Sequence, residues 1–119
     1  MFKLVVLTKR KAGMTMEEFM DYYENNHAPL MMSFYPQVKK YTRTYLHSVS
    51  HETLTGDDDK PVDCVTEAYF ENEDGWLDVI RSMEENPDRT AAHAADEENL
   101  FDRSKIGWFK TVCSETVRT

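Results

Sequence analysis

The chain has 119 residues, of which 22 are acidic and 14 basic, giving a formal net charge of −8. This length suits one compact domain spanning 1–119 and leaves no room for a second, cofactor-binding domain. The negative field repels phosphate backbones and anionic lipid surfaces, so neither nucleic acid nor a membrane is expected as a partner.

The segment "FKLVVLT" (2–8) is a β-branched and leucine-rich run closed by the basic turn "KRKAG", and it reads as a largely buried strand. In "MFKLVVLTKRK" the positive charge follows the apolar stretch, the reverse of a signal peptide. No apolar run approaches the roughly 20 residues of a spanning helix. A soluble, cytoplasmic protein is the expectation. Thr15 followed by Glu18 is a capping box, after which Met16, Phe19, Met20 and Tyr23 form one apolar stripe of a first helix. Pro29 disfavours helical geometry at Ala28, which predicts a break near Asn26 or His27 before the short piece "PLMMSFY".

The next segment, "KKYTRTYLH" (39–47), alternates strictly, with Tyr41, Arg43, Tyr45 and His47 on one face, and reads as the second strand. The polar stretch "SVSHETLTGDDDKP" (48–61) is expected to be an exposed loop before the third strand, "VDCVTEAYF" (62–70). A second main helix covers "NEDGWLDVIRSMEENP", with Trp76, Leu77, Ile80 and Met83 on one face and an end before Pro87. "RTAAHAADEENLFD" (89–102) predicts a short irregular helical segment, and "KIGWFKTVC" (105–113) the last strand.

The order β-α-β-β-α-β implies the ferredoxin-like α+β fold, a four-stranded antiparallel sheet with both helices on one face. The other face stays bare. Tyr41, Tyr69 or Trp108 are expected on it, and burying such a face against a second copy predicts a homodimer. Cys64 and Cys113, read as small buried thiols, then sit two strands apart, beyond disulfide reach.

The stretch "LTKRKAGMTMEEFMDYYENNHAPLM" resembles the EthD-like branch of the dimeric α+β barrel proteins: strand, glycine turn, Thr-capped helix, aromatic pair and His-x-Pro-Leu come in the family's order. "KKYTRTYL" and "ADEENLFD" extend the resemblance over nearly the whole chain, whereas the 48–61 insertion is particular to this sequence. The resemblance implies a homodimer with a ligand cavity between sheet and helices, and small-molecule chemistry without metal or organic cofactor. Its members include polyketide-pathway decarboxylases, anthrone oxygenases, and ring-modifying isomerases and cyclases.

His27 falls within roughly 20–40° of the apolar stripe of the first helix, counted at about 100° per residue, and so points inward. A helix C-terminus favours the imidazolium and an apolar pocket the neutral ring, which poises the group near neutrality for acid-base work. Capping the helix end is the structural alternative. Phe19, Tyr23, Phe34, Tyr41, Tyr45 and Trp76 are candidates to line an aromatic pocket; Phe19 and Trp76 read as core, while the tyrosine hydroxyls need partners if buried. Arg43 shares a face with Tyr41 and Tyr45 and, if buried, needs an anion: a substrate carboxylate or an acidic side chain. Asp96 and Glu97 are candidates to orient His27 or to serve as a second acid-base group, Asp102 lies in the same acidic segment, and His93 stands one turn before Glu97.

No histidine belongs to a metal-binding spacing, and neither GxGxxG nor a P-loop occurs, so no metal or nucleotide cofactor is expected. Together these readings lead to a cofactor-free enzyme acting on an aromatic or polyketide-type molecule. The reaction is a lyase (decarboxylase) or isomerase/cyclase step with His27 as general acid-base and Tyr23, Tyr45 and Arg43 holding the ligand. Alternatives are a cofactor-free monooxygenase and a non-catalytic binding protein.

Overall fold

The computed structural model describes residues 1–48 and 60–119. In β1 (Phe2–Thr8), alternation buries Leu4, Val6 and Thr8 on one face, and the strand pairs antiparallel with β3 (Cys64–Phe70), Val6 opposite Thr66. β2 (Lys40–Tyr45) flanks β3, and β4 (Gly107–Lys110) flanks β1 with Trp108 opposite Val6. The order β2-β3-β1-β4 places the first strand between the third and fourth, as the sequence predicts. Both cysteines are free. Cys64 is buried, but Cys113 is exposed, because β4 stops at Lys110 and residues 111–119 carry no secondary structure.

The capping box starts α1 (Met16–Tyr22): the Glu18 N–H donates to Thr15 Oγ1 and the Thr15 N–H to Glu18 Oε1, both at 3.1 Å. No break follows at His27. The chain passes through a π-helical turn (Tyr23–His27) directly into α2 (Ala28–Phe34). Pro29 follows the π turn directly, and the widened turn ahead of it makes room for a ring that donates no N–H to the regular ladder. α3 (Glu73–Glu85) is capped by Asn72, whose side chain accepts from the Gly75 N–H at 3.3 Å. Its buried residue is Val79, beside Trp76 and Met83, whereas Leu77 is exposed. α4 (Pro87–Glu97) is a regular helix rather than an irregular segment, since Pro87, read as a stop, occupies its first turn.

Met31 of α2 and Val79 of α3 pack on Leu4, Val6, Ala68 and Phe70, and a second cluster joins Phe19, Tyr23, Ala28, Cys64, Leu100 and Phe101. Both lie on the same side of the sheet. The opposite face carries Val5, Leu7, Val65, Tyr69 and Phe109, with Lys3 and Glu67 paired at 2.8 Å. Of the residues expected there, only Tyr69 belongs to it. Tyr41 and Trp108 face the helices, because Tyr41 stands opposite Ala68 and Trp108 opposite Val6, both inward residues.

Most of the 48–61 stretch, including Ser50 and His51, lies outside the described residues. Its last lysine, Lys60, is buried rather than exposed, 2.8 Å from the fully buried Asp63, which also accepts from the Arg10 N–H at 2.8 Å. Burial alone would raise the Asp63 carboxyl, yet the Lys60 ammonium and the Arg10 amide hold it below the usual carboxylate range. Among the described residues no helix is long and apolar enough to cross a membrane.

Phe19 is fully buried, with its ring centroid 5.7 Å from that of Tyr23 and 6.0 Å from those of Tyr45 and Phe101. Phe19→Ala is expected to cost about 3–5 kcal/mol in urea unfolding with an unchanged m-value. A loss below about 1 kcal/mol would remove Phe19 from the structural core.

Candidate active site

In the π-helical turn the Ala28 N–H donates to the carbonyl of Tyr23, five residues back. Side chains five apart on an α-helix point about 140° from each other, and the wider turn closes that angle. Tyr22 and His27, spaced by five, consequently converge on Asp96 of α4: Tyr22 Oη donates to Oδ1 at 2.6 Å, and His27 Nδ1 lies 2.7 Å from Oδ2. Asn99 steadies Tyr22 with an N–H donated to its hydroxyl at 2.9 Å.

With a carboxylate at Nδ1, the neutral His27 ring keeps its proton there and offers a lone pair at Nε2, for which no hydrogen-bond partner exists among the described residues. Burial pushes the His27 pKa below its ordinary 6.5, and the Asp96 carboxylate opposes the shift. The helix does not end at His27, so neither the expected pull of a C-terminal dipole nor the capping alternative applies.

A second histidine stands nearby. His93 and His27 have ring centroids 6.0 Å apart. Tyr35 Oη lies 2.5 Å from His93 Nδ1, Glu97 Oε2 lies 3.5 Å from His93 Nε2, and Arg103 Nε lies 3.3 Å from Glu97 Oε1. Across the sheet, Tyr23 Oη shares a 2.6 Å hydrogen bond with Thr66 Oγ1 and a longer one, 3.4 Å, with Tyr41 Oη. Burial pushes the Tyr41 phenol up to about 12 and Tyr23 well above its usual value, so both stay protonated and can donate.

These groups line a narrow cavity between sheet and helices, with about 60 Å³ open to the centre of a water-sized sphere. Its remaining wall is apolar: Leu4, Val6, Ala68 and Phe70 from the sheet, Met31, Val79 and Met83 from the helices, and the stacked pair Trp76 and Trp108, 6.0 Å apart. Trp108 and Met32 are also exposed and so mark its rim.

Of the residues singled out in the sequence, His27, Glu97, Tyr23, Tyr41 and His93 line this cavity, and Asp96 stands behind His27. Trp76, read as core, is part of the wall, whereas Phe19 is core as read. Arg43 and Tyr45 do not reach the cavity. Glu24 takes Arg43 Nε and Nη2 at 2.7 and 2.9 Å and also accepts from the Tyr45 hydroxyl, so an acidic side chain supplies the anion that Arg43 requires. Phe34 packs at the core margin under the Arg89 guanidinium, 5.8 Å from its ring centroid. Asp102 caps the 3₁₀ turn at Arg103–Lys105 through the Ser104 N–H. Tyr22, Tyr35 and Thr66 escaped the sequence reading; the five-residue spacing of Tyr22 and His27 just before a proline is the one local hint of the π turn that unites them. Among the described residues no cluster of His, Cys, Asp or Glu side chains could hold a metal ion.

NMR titration of His27 should give a pKa below 6.5, and Asp96→Asn should lower it further, since the carboxylate favours the cation. The unfolded ring binds its proton more readily than the folded one, so stability is lost as pH falls from the unfolded value toward the folded pKa. A His27 pKa above 6.5, or one that rises in Asp96→Asn, would contradict the geometry.

The EthD domain family matches residues 11–104. Among solved structures, the chain is similar to an ethyl tert-butyl ether D (EthD) family protein from Bacillus halodurans, with TM-score 0.64 and 17% identity over 96% of this chain and 100% of that one. It is also similar to a protein from Arabidopsis thaliana, in a crystal structure (TM-score 0.60, 15% identity, 99% of this chain and 100% of that one) and in a solution structure (TM-score 0.60, 18%, 98% and 91%). No curated protein sequence matches significantly. The structural likenesses, at such identities, speak to the ferredoxin-like α+β fold alone. Because the family match takes in the capped helix, the histidine turn and the acidic helix that meets it, the chain belongs to the EthD family.

Proposed function

We propose that the protein is a cofactor-independent enzyme that moves protons on an aromatic or polyketide-type small molecule, with His27 as general acid-base and Asp96 as its positioning residue. The His27–Asp96 contact at 2.7 Å carries this reading: it fixes the tautomer and leaves Nε2 as a base in an apolar cavity. The narrow slot and its aromatic wall suit a planar ligand, and the Tyr41 hydroxyl, held by one long hydrogen bond, is the loosest donor for a ligand oxygen.

Within the lyase and isomerase classes, the wall favours an isomerase or cyclase step on a neutral, enolisable ligand. Among the described residues no Arg or Lys lines the cavity, Arg43 is committed to Glu24, and the Glu97 carboxylate is part of the wall. A substrate carboxylate would find repulsion there and no cation. The bare sheet face, with Val5, Leu7, Val65 and Phe109 outward, supports a homodimer.

Anthrone, a planar neutral ketone, tests the chemistry. In D2O the wild type should exchange the C10 hydrogens and His27→Phe should be slower by about 100-fold or more at saturating anthrone. Equal exchange by both proteins sinks the general-base assignment, no exchange by either rejects the enzyme reading for this class, and a gained oxygen atom would turn the reading to a monooxygenase. Size-exclusion chromatography with light scattering should give twice the chain mass; a strict monomer rules out the dimer.

A further inference from the structure

We infer that the cavity holds a second proton-transfer line, Tyr35–His93–Glu97, which gives the ligand a proton at one atom while His27 removes one from another. The inference deepens the reading of His27 as a base and rests on it. The two histidines are partnered differently. His27 has one nitrogen on a carboxylate and the other without a hydrogen bond among the described residues, the arrangement of a base. His93 has an oxygen at each nitrogen: Tyr35 Oη at 2.5 Å from Nδ1 and Glu97 Oε2 at 3.5 Å from Nε2. Both of those contacts can accept from a protonated ring, and the Glu97 carboxylate balances its charge.

Tyr35 is buried and lines the same cavity as His27, and the Arg89 guanidinium lies 5.6 Å from its ring centroid. At the far end of the line, Arg103 is partly exposed and its guanidinium, 3.3 Å from Glu97, holds that carboxylate in place without itself carrying a proton along the line. The histidine rings, 6.0 Å apart, can both serve one ligand but are too distant to exchange a proton directly.

The step balances. His27 Nε2 takes a proton from a carbon conjugated with a carbonyl, as C10 of anthrone is with C9=O through the fused rings. The C–H pair enters the conjugated π system as a new double bond, and the carbonyl π pair moves to oxygen. That oxygen takes the Tyr35 proton, and Tyr35 takes the Nδ1 proton of His93. Ketone becomes enol, His27 gains the proton that His93 loses, and exchange with water resets both rings. Tyr35 touches the ligand, His93 acts through Tyr35, and Glu97 acts through His93.

Anthrone in D2O is again the probe, with binding followed by quenching of tryptophan fluorescence. Tyr35→Phe and His93→Gln should each slow C10 exchange at saturating anthrone by about 100-fold, with anthrone affinity within about twofold of wild type. The double variant should be no slower than the slower single, because the two residues form one line. Wild-type exchange in both singles, alongside an inactive His27→Phe, would leave a one-base reaction and overturn the relay. Multiplicative losses, or weakened binding with unchanged rates at saturation, would equally overturn it. If Tyr35→Phe fails to fold by circular dichroism, His93→Gln and Glu97→Gln with their double variant carry the same comparison. An inactive wild type would reject the base reading itself, and the relay with it.

Discussion

The Asp96 carboxylate ties the two halves of the site together. A partly buried charge is costly unless donors surround it, and Asp96 of α4 obtains two, from Tyr22 at the end of α1 and His27 at the end of the π turn. Residues five apart cannot meet one carboxylate from a regular α-helix. The π turn is therefore the local distortion that this contact requires, and the same widening accommodates the Pro29 ring that follows it. Packing, backbone geometry and the ionisation of His27 thus meet at a single carboxylate.

Around that contact the fold separates polar from apolar wall by simple periodicity. Strand alternation directs Leu4, Val6, Ala68 and Phe70 inward as a greasy floor, while Thr66, on the same face of β3, meets the Tyr23 hydroxyl dropped from the helix above. Desolvation by that floor keeps His27 neutral and the phenols protonated, so one environment yields a base and donors side by side.

Much of this was legible in the chain. The Thr15–Glu18 capping box and the inward direction of His27 follow from spacing, because each depends on neighbours in sequence, and the strand order follows from the succession of elements, which leaves few topologies open. Tyr22 and Tyr35 were invisible for the opposite reason: their partners, Asp96 and His93, are 74 and 58 residues away. Alternation correctly put Tyr41, Arg43 and Tyr45 on one face of β2, but it cannot say which face the helices cover; hence Tyr41 and Trp108 were assigned to the wrong side. Proline was ambiguous in the same way. Pro29 and Pro87 each read as a stop, yet Pro87 opens α4 from its first turn and Pro29 is carried through a continuous helix by the widened π turn ahead of it.

His93, Asp96 and Glu97 occupy positions i, i+3 and i+4 of α4 and so share one narrow strip of its surface. A substitution on the alanine-bearing outer side leaves that strip in place. One residue inserted or deleted between Asn86 and His93 would instead turn it by about 100°, carrying His93 and Glu97 off the cavity wall and Asp96 away from His27 together. In this part of the chain the geometry constrains the count of residues more tightly than the identity of those on the outer side, and a change of length is better accommodated on either side of the helix than within it.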